Sequence, residues 1–314
     1  IRPLGGFSGL FALVDISAGQ VQDIKVIDVY ELDGQYIPRL EPPFNLKSLN
    51  EQLFIRDLNY LSNPKGYLKV LKNELANIKF PSFDTFVVVN QSVFQDILNV
   101  VGPQNVPGKN LKLTPENYFY ALTLLIESEK DYQKDDKQII KNILINLTPS
   151  LNKAENLNKF IQLAFKNIST QDIQIISLNS KHQAVLQKLN LYKEFQFHSE
   201  PQNESFFVSF TSVGGNKTDA DIKTGISHTS HLKKNSKPLH KLQITRTHGY
   251  NINLDIYLDS LARKLRVYPI PEALKHILIK GENQVVAKAH LPLGSKVDSV
   301  FINSRPAKFQ VEIE

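Results

Sequence analysis

Phe83-Asp84-Thr85-Phe86-Val87-Val88-Val89-Asn90 is the stretch on which the fold turns. Its β-branched and aromatic residues suit a strand, and its unbroken apolar run suits a parallel strand covered on both faces. Immediately after it, Gln91 to Val101 sets Val93, Phe94, Ile97 and Leu98 at helical spacing, and Gly102-Pro103 stops that helix. Before it, Ser62 or Asn63 is placed to cap a helix with Pro64 in its first turn. Tyr67, Leu68, Leu71, Leu75 and Ile78 form the apolar face of that helix.

The alternation continues outward. Leu10 to Ile16 reads as a strand, Ala18-Gly19 as a hairpin turn and Val21 to Val29 as the returning strand. Phe54-Ile55-Arg56-Asp57 reads as a strand that delivers Arg56 and Asp57 to its C-terminal edge, where open α/β sheets hold their ligands. Thr114 precedes a proline that opens a helix over Asn117 to Glu127. The charged residues from Glu127 to Lys137 open a further helix reaching Leu147, and are either a solvated face or a phosphate or metal site. Helices at Leu157 to Phe165 and Lys181 to Leu189 flank a strand at Asp172 to Leu178. This half is expected to be α/β with a largely parallel sheet over residues 1–195.

The texture then changes. Strand-like runs fall at Phe206 to Phe210, Ile222 to His231, Lys241 to His248, Leu254 to Leu258, Arg266 to Tyr268, Gln284 to Leu291 and Phe309 to Ile313. Proline and glycine punctuate them, so residues 200–314 are expected to form a β-sandwich-like C-terminal domain.

Composition narrows the chemistry. The 314 residues carry 37 Lys and Arg against 31 Asp and Glu, a net charge of +6 that favours anionic partners. The chain has no Cys, which excludes disulfides and thiol chemistry and suits an extracytoplasmic setting. It also has no Met, so a processed form or fragment is expected. No apolar stretch reaches the length of about 18 residues that a transmembrane helix needs. Any membrane attachment is expected through an anchor outside this chain.

At the start, Arg2-Pro3-Leu4-Gly5-Gly6-Phe7 puts an arginine on a stiff glycine turn before a buried strand. That is either an anion grip or a tight turn whose arginine meets solvent. Together with Val29-Tyr30-Glu31-Leu32-Asp33-Gly34, Arg56-Asp57-Leu58-Asn59, Phe83-Asp84, Val101-Gly102-Pro103, Gly214-Gly215-Asn216-Lys217-Thr218-Asp219 and Leu291-Pro292-Leu293-Gly294-Ser295, it resembles a bacterial family. This is the domain-of-unknown-function family numbered four thousand and twelve, whose members are extracytoplasmic envelope proteins. That family is in turn distantly similar to the LytR-CpsA-Psr family, which transfers polyprenyl-diphosphate-linked glycopolymers onto the cell wall.

The resemblance implies a LytR-CpsA-Psr-like mixed sheet flanked by helices, acting as a phosphotransferase on such a glycopolymer. Arg2, Arg56 and Lys137 would bind the diphosphate, Arg56 and Asp57 would be catalytic, and Asp57 with Asp33 would hold Mg²⁺. The chain departs from the pattern in two places. Gly5-Gly6 replaces the aspartate of the first motif, and lysines stand where later arginines belong. Lysine cannot reproduce the arginine fork. The alternative is a non-catalytic extracytoplasmic protein that binds glycopolymer or serves as surface structure.

Two further groups stand apart from these motifs. His228 and His231 lie three apart on a strand and face opposite sides, so they do not share one metal ion. The basic run from His231 to Lys241 lacks interleaved aromatics, so nucleic acid is not an expected partner.

Overall fold

The computed structural model describes residues 8–18, 20–42, 44–47, 51–60, 64–128, 142–143, 154–192, 207–231, 238–291, 294–309 and 311. The chain is mixed α/β. Strands β1 (Leu10–Ser17) and β2 (Gln20–Asp28) form the expected hairpin, turning at Ala18 with positive φ. β2 runs straight into helix α1 (Val29–Asp33), because Asp28 caps it by accepting the Tyr30 N–H. Helices α2 (Phe44–Lys47) and α3 (Pro64–Asn77) flank a 3₁₀ turn at Ile55–Tyr60.

Strand β3 (Thr85–Val89) is followed by α4 (Ser92–Val101), the short strands β4 (Gln104–Asn105) and β5 (Lys112–Leu113), and α5 (Tyr118–Ser128). Helix α6 (Ala154–Ser169), strand β6 (Ile173–Ser177) and helix α7 (Ser180–Lys188) complete the first half. The second half holds β7 (Phe207–Ser212), a 3₁₀ turn (Thr218–Asp221), β8 (Ile222–His231), β9 (Leu239–His248) and α8 (Ile252–Leu265). Helix α9 (Glu272–Lys275) then widens into a π turn (His276–Lys280), followed by β10 (Val285–His290), β11 (Phe301–Ile302) and β12 (Arg305–Pro306). Among the described residues, no helix is long and apolar enough to cross a membrane.

Three expectations are corrected. First, the sheet is not largely parallel. β3 pairs with β6 antiparallel, from Thr85 opposite Ser177 to Val89 opposite Ile173. Its apolar run is covered on one face only, with Val87 48% and Val89 54% exposed, and one open face is the habit of antiparallel ladders. A continuous valine run sets no strand direction by itself.

Second, Phe54 to Asp57 is not a strand, because two carboxylates bind the amides that a strand would turn to a neighbour. Third, the β-sandwich is absent from the described residues. All their ladders are two-stranded and antiparallel, with β7 on β10 and β8 on β9. Leu254 to Leu258, expected as a strand, is the first part of α8. Asn251 caps that helix by accepting the Asn253 and Leu254 N–H groups, and Leu258, Leu261, Ala262 and Leu265 are buried on its apolar stripe. Arg266, expected to begin another strand, ends the helix in the left-handed region.

Helix α8 packs on α5, and this contact shapes the core. Leu98, Leu113, Ala121, Leu124 and Leu125 share one buried cluster with Leu258, Leu261, Ala262, Leu265 and Leu278. That cluster draws on both sides of the boundary expected between residues 195 and 200. A second cluster joins Val29, Leu32, Leu46, Ile55, Leu58, Tyr67, Leu68, Leu71 and Ile176, with Val213 and Val286 packed against it. Because α5 and α8 bury each other, Leu124→Ala and Leu261→Ala should each cost about 2–5 kcal/mol and lower the same single urea transition. Two resolved transitions, each moved by only one variant, would contradict the shared core.

Candidate functional site

Asp33 closes α1 and is 7% exposed. Its Oδ1 accepts the Ile55 N–H at 2.8 Å and the Arg56 N–H at 3.4 Å, and its Oδ2 accepts Arg56 Nη1–H at 2.7 Å. Asp57 is 1% exposed, and its Oδ2 accepts the Phe54 N–H at 3.1 Å. That last bond has the form of a capping box, in which the third helical residue reaches back to the amide at the helix entry. Two acidic side chains thus satisfy three amides at the start of the 3₁₀ turn, and this is why residues 55–60 coil rather than extend.

Arg56 lies between these carboxylates. Besides its bond to Asp33, its Nε stands 3.7 Å from Asp57 Oδ1. Its guanidinium lies 4.5 Å from the Phe54 ring centre and 5.4 Å from that of Tyr30. The aromatic faces hold a cation well and limit its contact with water. The Ser8 N–H donates to the Arg56 carbonyl at 2.9 Å, so the described end of the N-terminal glycine turn rests on this same turn.

The structure brings Arg56, Asp57 and Asp33 together. It places them differently from a phosphate clamp, since they bind one another and the backbone. Arg2 and Lys137 lie outside the described residues. The residues assigned to Mg²⁺ do not fit the ion. Asp33 gives both oxygens to amides and the guanidinium, and Asp57 gives one to an amide and turns the other toward Arg56. Among the described residues, no group of three or more His, Asp or Glu side chains could hold a metal.

The other motifs have structural uses. Gly102, with φ 77°, ends α4 and donates its N–H to the Leu98 carbonyl. Gly214 to Asp219 docks onto the π turn and the loop after it. The Lys217 N–H meets the Ile277 carbonyl at 2.8 Å, Asn216 Nδ2 meets the Glu282 carbonyl at 2.9 Å, and Asn283 Nδ2 meets Asp219 Oδ1 at 3.0 Å. A side chain at Gly281 would press on the His276 carbonyl and Asn216, so this docking requires glycine there.

Sequence reading missed two polar groupings. Tyr120 on α5 donates its hydroxyl to Asp221 at the foot of β8. Burial and the Asp221 carboxylate push the phenol above its ordinary range. Burial also raises the Asp221 carboxyl, against the opposing pull of the Tyr120 bond and of His248. Near α8, Lys275 reaches Asp259 at 2.8 Å and Asp255 at 3.3 Å, and Lys280 reaches Asp255 at 3.1 Å. These ion pairs fasten α9 and the π turn to α8. The Tyr120 and Asp221 positions lie 101 residues apart, so no local spacing signalled their meeting.

No family profile matches the chain, and no solved structure matches it. The chain is similar to the phenylalanine–tRNA ligase beta subunit of Pyrococcus furiosus, at 24% identity over 256 residues. The alignment covers 80% of this chain and 41% of that subunit, so the chain spans about two-fifths of the length of this curated relative.

Removing Arg56 would leave Asp33 buried beside no counter-charge. Arg56→Ala should therefore destabilise the chain by roughly 3 kcal/mol in urea unfolding. Arg56→Lys should recover part of that loss, because it restores the charge without the fork. Equal stability of wild type and Arg56→Ala would contradict the assignment.

Proposed function

We propose that this is an extracytoplasmic, envelope-associated protein that binds an anionic glycopolymer without chemically transferring it. One observation carries the reading. Arg56, Asp33 and Asp57, the residues that the family resemblance would assign to diphosphate and Mg²⁺, are engaged with one another and with backbone amides. A phosphotransfer site needs such groups turned toward the substrate's developing charge. Here that orientation would require breaking the contacts that form the 3₁₀ turn. The net charge of +6 supports attraction to a polyanion.

A second reading keeps the phosphotransferase on polyprenyl-diphosphate-linked glycopolymer, with a LytR-CpsA-Psr-like sheet. It is supported by the Ser8 to Arg56 backbone bond, which holds the residue that follows the first motif of the resemblance against the turn that carries Arg56. The likeness to a tRNA ligase subunit favours RNA as a partner, but at 24% identity it weighs less than the arrangement of Arg56, Asp33 and Asp57.

The test is turnover. The chain is incubated with a polyprenyl-diphosphate-linked glycopolymer, a wall acceptor and Mg²⁺, and both co-sedimentation and donor consumption are followed. The proposal expects co-sedimentation with the polymer, no donor consumption, and the same binding by Arg56→Lys. Donor consumption by wild type that Arg56→Lys abolishes would overturn it in favour of the transferase.

A further inference from the structure

The β8–β9 ribbon has an unusual charge pattern. Its two ten-residue strands, Ile222–His231 and Leu239–His248, contain Lys223, Lys241, Arg246 and four histidines, but no Asp or Glu. They also contain no Phe, Tyr or Trp. The register shows how these residues divide. Lys223 pairs with Thr247, Gly225 with Thr245, Ser227 with Gln243 and Thr229 with Lys241, and the members of each pair share a face.

All of these residues are exposed, whereas Leu242, Ile244 and Arg246 on the alternate face of β9 are half-buried. Arg246 also lies 5.0 Å from the Phe210 ring centre and 3.8 Å from Asp219. On β9 the polar residues thus alternate outward with half-buried ones, whereas β8 is exposed on both faces from Lys223 to His231, with Ile226 48% exposed. Gly225 keeps the outward polar face level, since a Cβ there would stand 2.7 Å from Thr245 Oγ1.

Lys223 lies near one end of this face and Lys241 toward the other, six residues apart along β8 counted to Thr229, a span of about 20 Å. Between them run hydroxyls and an amide at a repeat of about 7 Å. Neither lysine forms an ion pair with another described residue. Two separated cations with neutral hydrogen-bonding groups between them fit an extended polyanion that also carries hydroxyls, rather than one small anion. The lack of aromatic rings removes the stacking platform that single-stranded nucleic acid uses. The cations of this face are lysines rather than arginine forks, and a lysine meets phosphate as a point charge.

We propose that the outward face of the β8–β9 ribbon is the surface on which the protein binds a phosphodiester-linked, hydroxyl-bearing polymer. This rests on the glycopolymer-binding reading above and gives it a location. Poly(glycerol phosphate) serves as the probe, titrated into the full chain by calorimetry at low and high salt. Wild type should bind, and binding should weaken as salt screens the lysines. The double variant Lys223→Glu/Lys241→Glu should keep the wild-type thermal midpoint, because both side chains are exposed, and should bind at least about tenfold more weakly.

A double variant that binds like wild type would overturn the ribbon as the surface while leaving the glycopolymer reading intact. Absence of binding by wild type would overturn both. Tighter binding of polygalacturonate, or of a single-stranded oligonucleotide of equal charge, would overturn the choice of polymer.

Discussion

The Asp33 carboxylate is the constraint on which the N-terminal half of the structure depends. It closes α1, receives two amides of the following 3₁₀ turn and pairs with the guanidinium carried by that turn. The residues beside these polar contacts, Val29 and Leu32 on α1 and Ile55 and Leu58 on the turn, lie in one buried cluster. The apolar packing brings the two segments together without specifying their rotation. The charge-assisted hydrogen bonds supply that specification, since a buried acceptor left unpaired is costly. Ion pair and core therefore support each other, and neither is easily redirected toward a ligand.

This arrangement changes the meaning of the motifs. Residues conspicuous in the sequence for their capacity to hold phosphate or metal are placed as caps, braces and helix stops. Asp57 returns a hydrogen bond to the entry of its own turn, Gly102 ends α4, and the segment from Gly214 to Asp219 seats the loop after the π turn. Two exposed lysines, Lys223 and Lys241, lie elsewhere, on the β8–β9 ribbon, in a stretch whose chemistry is uniform rather than conspicuous.

Much of the local structure was legible in the sequence. The first hairpin, helices α3, α4 and α7, strand β6 and the β8–β9 ribbon fall close to where periodicity and turn residues set them. Those signals are local, and so were the successes. The misreadings have separate causes. Leu254 to Leu258 is too short a run to distinguish strand from helix, and its Asn251 cap and the later Leu261 and Leu265 had to be counted with it. Phe54 to Asp57 coils because of Asp33, which is 22 residues from Ile55 and invisible to any local window. The antiparallel sense of β3 and β6 is a pairing between strands distant in the chain, which a valine run does not encode. For the site, the sequence brought Arg56, Asp57 and Asp33 into one neighbourhood, yet which atoms would be spent on the backbone depended on that same distant pairing.

The central claim is that Arg56 and Asp33 are bound to each other in the resting protein. A double-mutant cycle in urea, built from Arg56→Ala, Asp33→Ala and the combined variant, measures this most directly. The account predicts a coupling free energy above about 1 kcal/mol, with the double variant less damaged than the sum of the singles. Additive losses would contradict it and would return Arg56 to the set of groups available for a phosphate.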